Sequence, residues 1–213
     1  MNGKIDLPNL GIQDDCIRLK IKELFDDLDH KKLINRDDSN LMDPCFINMY
    51  KNDIMLLRSL INIHKNWKKI NECIDINSDI VANTEFTRIS INTFMFTLLE
   101  SYEIIFKIFK SIIKDDFINS VTGLGIMLRK IDEKLHKNYK ELFHTNVRNA
   151  LAHFTFCDDT SETDVAITIK DGKNIFTMNF ASLLNEALYI NNVIECITKE
   201  CDKRNIKYKS ANN

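Results

Sequence analysis

Glycine and proline are scarce, with five Gly and two Pro in 213 residues. An all-β chain needs many turns, and turns draw on both residues, so the scarcity excludes a turn-rich β architecture and predicts long helices. Neither sign of charge dominates: 29 basic and 31 acidic side chains leave a net charge of −2. That balance excludes a generally polycationic nucleic-acid binder, and any such binding must come from a local patch. The first twenty residues carry Asp6, Asp14 and Asp15 and no apolar core of a signal peptide, so no secretory leader is expected. The most apolar stretch, Ile89 to Ile113, is broken by Glu100, Glu103, Lys107 and Lys110. Each such charge costs ~2.5–3.5 kcal/mol at a bilayer centre, which argues against a membrane span. Cysteines 16, 45, 73, 157, 196 and 201 form no C-x-x-C pair. Reduced thiols in a cytoplasmic protein are therefore expected, not a disulfide framework. Walker-type, G-x-G-x-x-G and H-E-x-x-H motifs are also missing, and neither a cofactor nor a metal is expected.

What is present is a globular balance of 44% apolar and 28% charged residues. Ile17, Ile21, Leu24, Phe25 and Leu28 follow helical spacing, predicting a helix from Asp14 to about Ile34. Asp26, Asp27, Asp29 and His30 spread around its axis and read as a solvated acidic face, not as metal ligands. Residues 1–45 hold ten acids and seven bases, the remainder 21 and 22, which suggests an N-terminal helical extension ahead of a domain at 46–201 and a polar tail at 202–213. Further helices are predicted over 46–74, 85–114, 124–143, 147–154 and 181–201, with a polar loop at 74–84 whose Asn83 or Thr84 caps the next helix. Residues 85–114 are apolar on nearly every side, as expected for the central element of a bundle or dimer. Alternation of Val165, Ile167 and Ile169 with Phe176, Met178 and Phe180 around Asp171-Gly172 predicts a hairpin. The fold class is thus all-α, a helical bundle with a small β-hairpin near the C-terminal end.

One segment carries chemistry: Asn146-Val147-Arg148-Asn149-Ala150-Leu151-Ala152-His153-Phe154. Arg148, Asn149 and His153 resemble the signature of HEPN domains, in which Arg is followed after four to six residues by His, often with a polar residue directly after the Arg. The chain has two other pairs at such spacing, Arg58/His64 and Arg129/His136. They lack the Asn and fall within predicted helices, where an Arg usually snorkels from the surface. Arg148 and His153 lie about 140° apart on an ideal helix, whereas Arg129 and His136 share a face and stand as the rival pair.

The resemblance implies a small all-α protein and a metal-independent endoribonuclease, in a defence or toxin–antitoxin setting with a cognate antitoxin or regulator. It also implies a homodimer whose two motifs face one cleft. RNA cleavage by its own 2′-OH needs a proton acceptor, a proton donor and charge stabilisation. His153 fits proton transfer near neutral pH, Arg148 fits the phosphate, and Asn149 fits orientation of either. Lys137, Lys140 and His144, with the basic run 129–140, fit guidance of the RNA backbone, although a solvated helix face explains that run equally well. Two features depart from the family. The toxin subgroup has a Tyr two positions after the His, where this chain has Thr155, and the acid supplied by the preceding long helix is represented only by the candidates Glu100 and Glu103. Two other functions remain open: a non-catalytic HEPN-like module binding nucleotide, RNA or protein, and an interaction protein whose acidic residues 1–45 contact a partner.

Overall fold

The computed structural model describes residues 10–36, 41, 42, 48, 52, 55, 59, 80–152, 156–158, 166–171 and 174–208. Helices dominate: α1 (Leu10–His30), α2 (Ile80–Ile112), α3 (Asp116–Asn119), α4 (Leu124–Leu135), a 3₁₀ turn (Lys140–Phe143), α5 (Thr145–Ala152) and α6 (Phe180–Lys203). Among the described residues no helix is long and apolar enough to cross a membrane. Strands β1 (Phe156–Asp158), β2 (Ala166–Asp171) and β3 (Asn174–Asn179) pair antiparallel in that order, with Phe156 opposite Ile169 and Ile169 opposite Phe176. Gly172, on which the expected hairpin turns, lies outside the described residues.

The chain divides into two compact units. One draws on residues 52–99 and 146–188, the other on 8–51, 100–145 and 189–213. In the second unit α1, read from the sequence as part of an extension, buries Ile21, Leu24, Phe25 and Leu28 completely. Four such side chains contribute about 1.5–3 kcal/mol each, enough to hold the helix in place. Beyond α1 the chain turns through Lys32, whose φ is +57°, and Ile34 bridges Ile113. The Asn35 amide donates to Ile112 O (2.6 Å) and the Lys114 amide to Leu33 O (2.7 Å), tying this segment to the end of α2. Phe109 of α2 meets Phe143 edge-on at 5.6 Å.

Three expectations are corrected. Helix α2 starts at Ile80, so Asn83 and Thr84 lie inside it and not at its N-cap position. It is also not apolar all round, because Phe96, Glu100 and Lys107 are exposed and Glu103 and Lys110 half-exposed, one stripe at helical spacing. The predicted helix 124–143 breaks at Leu135. There His136 takes a left-handed conformation (φ 56°), and the Asp132 carboxylate accepts the amides of Tyr139 (2.7 Å) and Lys140 (2.9 Å). Those bonds supply from a side chain what a continuing helix would supply from its backbone.

Candidate functional site

Helix α5 carries the Arg-Asn part of the motif. Val147 and Leu151, four residues apart, are buried and seat one face of this eight-residue helix. Arg148 and Asn149 follow at about 100° steps around the axis, and both are half-buried. His153 is the next residue after Ala152 and lies outside the described residues, as do the flanking Phe154 and Thr155. The structure therefore brings Arg148 and Asn149 to adjacent positions of one short helix.

The start of that helix is built by three aromatic groups of the second unit. His144 occupies the left-handed region (φ 41°, ψ 44°), which turns the chain from the 3₁₀ turn into Thr145. Its imidazole stacks on the Tyr189 ring, with centroids 4.3 Å apart and planes within 8°. Tyr189 Oη donates to Leu142 O (2.8 Å) and Tyr102 Oη to His144 O (3.4 Å). A left-handed backbone costs a non-glycine residue roughly 1–2 kcal/mol, which the stack and the anchored carbonyls offset. His144 is thus a structural corner. Tyr102 and Tyr189 escaped the sequence reading because each acts across more than forty residues of chain.

The basic run is largely committed within the protein. Arg129 pairs with Glu133 (3.9 Å), Lys130 Nζ donates to Phe117 O (2.6 Å), Lys134 pairs with Asp115, and Lys137 Nζ lies 3.8 Å from Asp27. Lys140 opens the 3₁₀ turn, where its amide is held by Asp132. The rival pair loses its shared helix face. Arg129 stays on α4, whereas His136 lies beyond the last helical residue in the left-handed region. Arg58 and His64 lie outside the described residues.

The acidic face of α1 also meets the C-terminal end of α6. Arg204 donates to Asp26 (2.6 Å), Asp29 (3.1 Å) and Glu200 (3.2 Å), and Arg36 joins Asp29 (2.7 Å) and the Arg204 carbonyl (2.8 Å). The hydrogen bond from Arg204 lowers the Asp26 pKa below the usual carboxylate value. Asp27 accepts from Tyr139 Oη at 2.5 Å. Burial, reinforced by that bond, pushes the Tyr139 phenol well above its ordinary pKa. Among the described residues no group of three or more His, Cys, Asp or Glu side chains is arranged to hold a metal ion. Comparison with protein-family models, with curated proteins and with solved structures gave no match to this chain.

Proposed function

We propose that this chain is a metal-independent endoribonuclease of HEPN type: a helical bundle with a small β-hairpin, active in the cytoplasm as a homodimer, in a defence or toxin–antitoxin system. The observation that carries the reading is the run Arg148-Asn149-Ala150-Leu151-Ala152-His153, whose first two members stand half-buried and adjacent on α5. Half-burial suits both, since packing limits their motion.

In this reading the His153 imidazole accepts the proton of the ribose 2′-OH as its oxygen attacks the adjacent phosphorus. The bond from phosphorus to the 5′-oxygen breaks, and that oxygen leaves with a proton, the second His153 of the dimer being a suitable donor. Arg148 carries a permanent positive charge in a planar fork, which suits the two non-bridging phosphate oxygens as their negative charge grows. Asn149, next to it, orients the imidazole or the phosphate. A mixed, end-labelled RNA incubated with the protein in EDTA tests the chemistry directly. The expected products end in 2′,3′-cyclic phosphate and 5′-hydroxyl. Absence of cleavage, or products ending in 5′-phosphate, would overturn the proposal, and binding of intact RNA or nucleotide would then favour the non-catalytic module.

A further inference from the structure

Helix α5 runs without a break from Thr145 to Ala152, and eight residues are too few to keep a helical course in water unaided. What fixes its first residue therefore fixes where it carries Arg148. Successive contacts constrain the chain just before that point. The Leu142 carbonyl accepts the Tyr189 hydroxyl of α6 (2.8 Å), and the His144 carbonyl accepts the Tyr102 hydroxyl of α2 (3.4 Å). The His144 imidazole lies flat on the Tyr189 ring, with centroids 4.3 Å apart. Thr145 is buried beside Gly125 of α4, where an added Cβ would lie 3.7 Å from Thr145 Cβ. Tyr189 thus holds the chain twice, with its hydroxyl at Leu142 and with its ring at His144. Between these anchors and α5 stands the left-handed backbone of His144 (φ 41°, ψ 44°).

We propose that His144 and Tyr189 are positioning residues for RNA cleavage: their stack fixes the corner from which α5 departs, and so sets where Arg148 meets the phosphate. The inference rests on the nuclease reading above. It gives His144 a role other than contact with the RNA backbone, in keeping with an imidazole that already has one face covered by Tyr189. The lever is long enough to matter. At a rise of about 1.5 Å per helical residue, Arg148 stands roughly 6 Å beyond His144, so a rotation of about 10° at the corner moves it by about 1 Å. A misplacement of about 1 Å at a reacting centre costs up to roughly 100-fold in rate. Single left-handed residues are favoured only when their surroundings hold them, and here one tyrosine does so on both sides of the turn.

The test is steady-state cleavage of a mixed single-stranded RNA in EDTA by the full chain, with Tm measured for every variant. His144→Gly removes the stack and frees the corner, yet also removes the strain of a side chain at positive φ, so Tm should hardly change. It is expected to lower kcat about tenfold or more while KM stays within about twofold. Tyr189→Phe keeps the ring but releases the Leu142 carbonyl, and should lower kcat by less. His144→Phe restores a ring for the stack without a titratable nitrogen, and should recover most of the rate with the wild-type pH profile. Unchanged kcat in His144→Gly, where wild type cleaves, would overturn the inference and leave the nuclease reading standing. So would a raised KM with a flattened salt dependence that His144→Phe does not rescue, which would mark His144 as an RNA contact. No cleavage by wild type would remove the nuclease reading itself, and this inference with it.

Discussion

Arg204→Ala tests how α1 and α6 are held together. The guanidinium, 18% exposed, touches Asp26, Asp29 and Glu200, and its loss takes one cation from a buried Glu200, whose side chain is only 4% exposed. Breaking a buried pair that has no other partner costs about 3–5 kcal/mol. Here each carboxylate has a second cation: Lys22 for Asp26 (3.3 Å), Arg36 for Asp29 (2.7 Å) and Lys203 for Glu200 (2.7 Å). Asp26 is half-exposed, so its share is about 0.5 kcal/mol, and Glu200 contributes most, as a buried acceptor of a charged hydrogen bond. The expected total is about 2 kcal/mol, or roughly 4–8 °C in Tm for a chain of this size. Urea unfolding should show a lower midpoint at unchanged slope. The Asp26 pKa is lowered in the folded state, so its contribution is full above the unfolded carboxylate value and is lost as pH falls through the lower folded value. The difference between wild type and variant should therefore shrink below about pH 4. A loss above about 4 kcal/mol would show that the second cations compensate nothing, and a loss below about 0.5 would show that the clamp holds nothing.

Other substitutions probe the turns and helix ends of the second unit. His136→Gly removes the left-handed penalty at an exposed helix end and should raise stability by about 0.5–1 kcal/mol in thermal unfolding. His144→Gly should gain nothing, because the same relief is cancelled by the lost stack on Tyr189. Asp132→Ala should cost about 2 kcal/mol by freeing two amides, and Asp132→Asn, with one acceptor oxygen, about half as much in the same urea titration. Burial raises the Asp132 pKa, so the stability it contributes is full below the unfolded value and declines as pH rises through the folded one, a decline absent from the Asn variant. Gly125→Ala should stabilise α4 by about 0.5 kcal/mol, since the added methyl would meet Thr145 Cβ at an ordinary 3.7 Å.

The helices were legible where burial follows one periodic face. Ile17, Ile21, Leu24, Phe25 and Leu28 marked α1 by spacing alone, and all five are buried. The break after Leu135 was hidden because Tyr139 and Leu142 continue the helical spacing and are buried as well. The left-handed turn at His136 and the Asp132 side chain, reaching forward to two amides, end the helix there. Asp26 and Asp29 read as a solvated face because their partner Arg204 lies more than 170 residues away in the chain. The lysines of 129–140 read as an RNA guide for the complementary reason, since Asp27 and Asp115 face Lys137 and Lys134 from other elements. At the site, the order Arg148-Asn149 and the small Ala152 were visible in the sequence. The corner formed by His144, Tyr189 and Tyr102 was not, because it depends on contacts between distant segments.

The most direct test of the central claim is the rate of RNA cleavage in EDTA by wild type, Arg148→Ala, Arg148→Lys and His153→Ala, all checked for folding and self-association. Both alanine variants are expected to lose at least about 100-fold in rate, and Arg148→Lys to recover only part of it, because an ammonium keeps the charge but not the two-pronged geometry. Cleavage at the wild-type rate in Arg148→Ala and His153→Ala would contradict the assignment of these residues as the nuclease site.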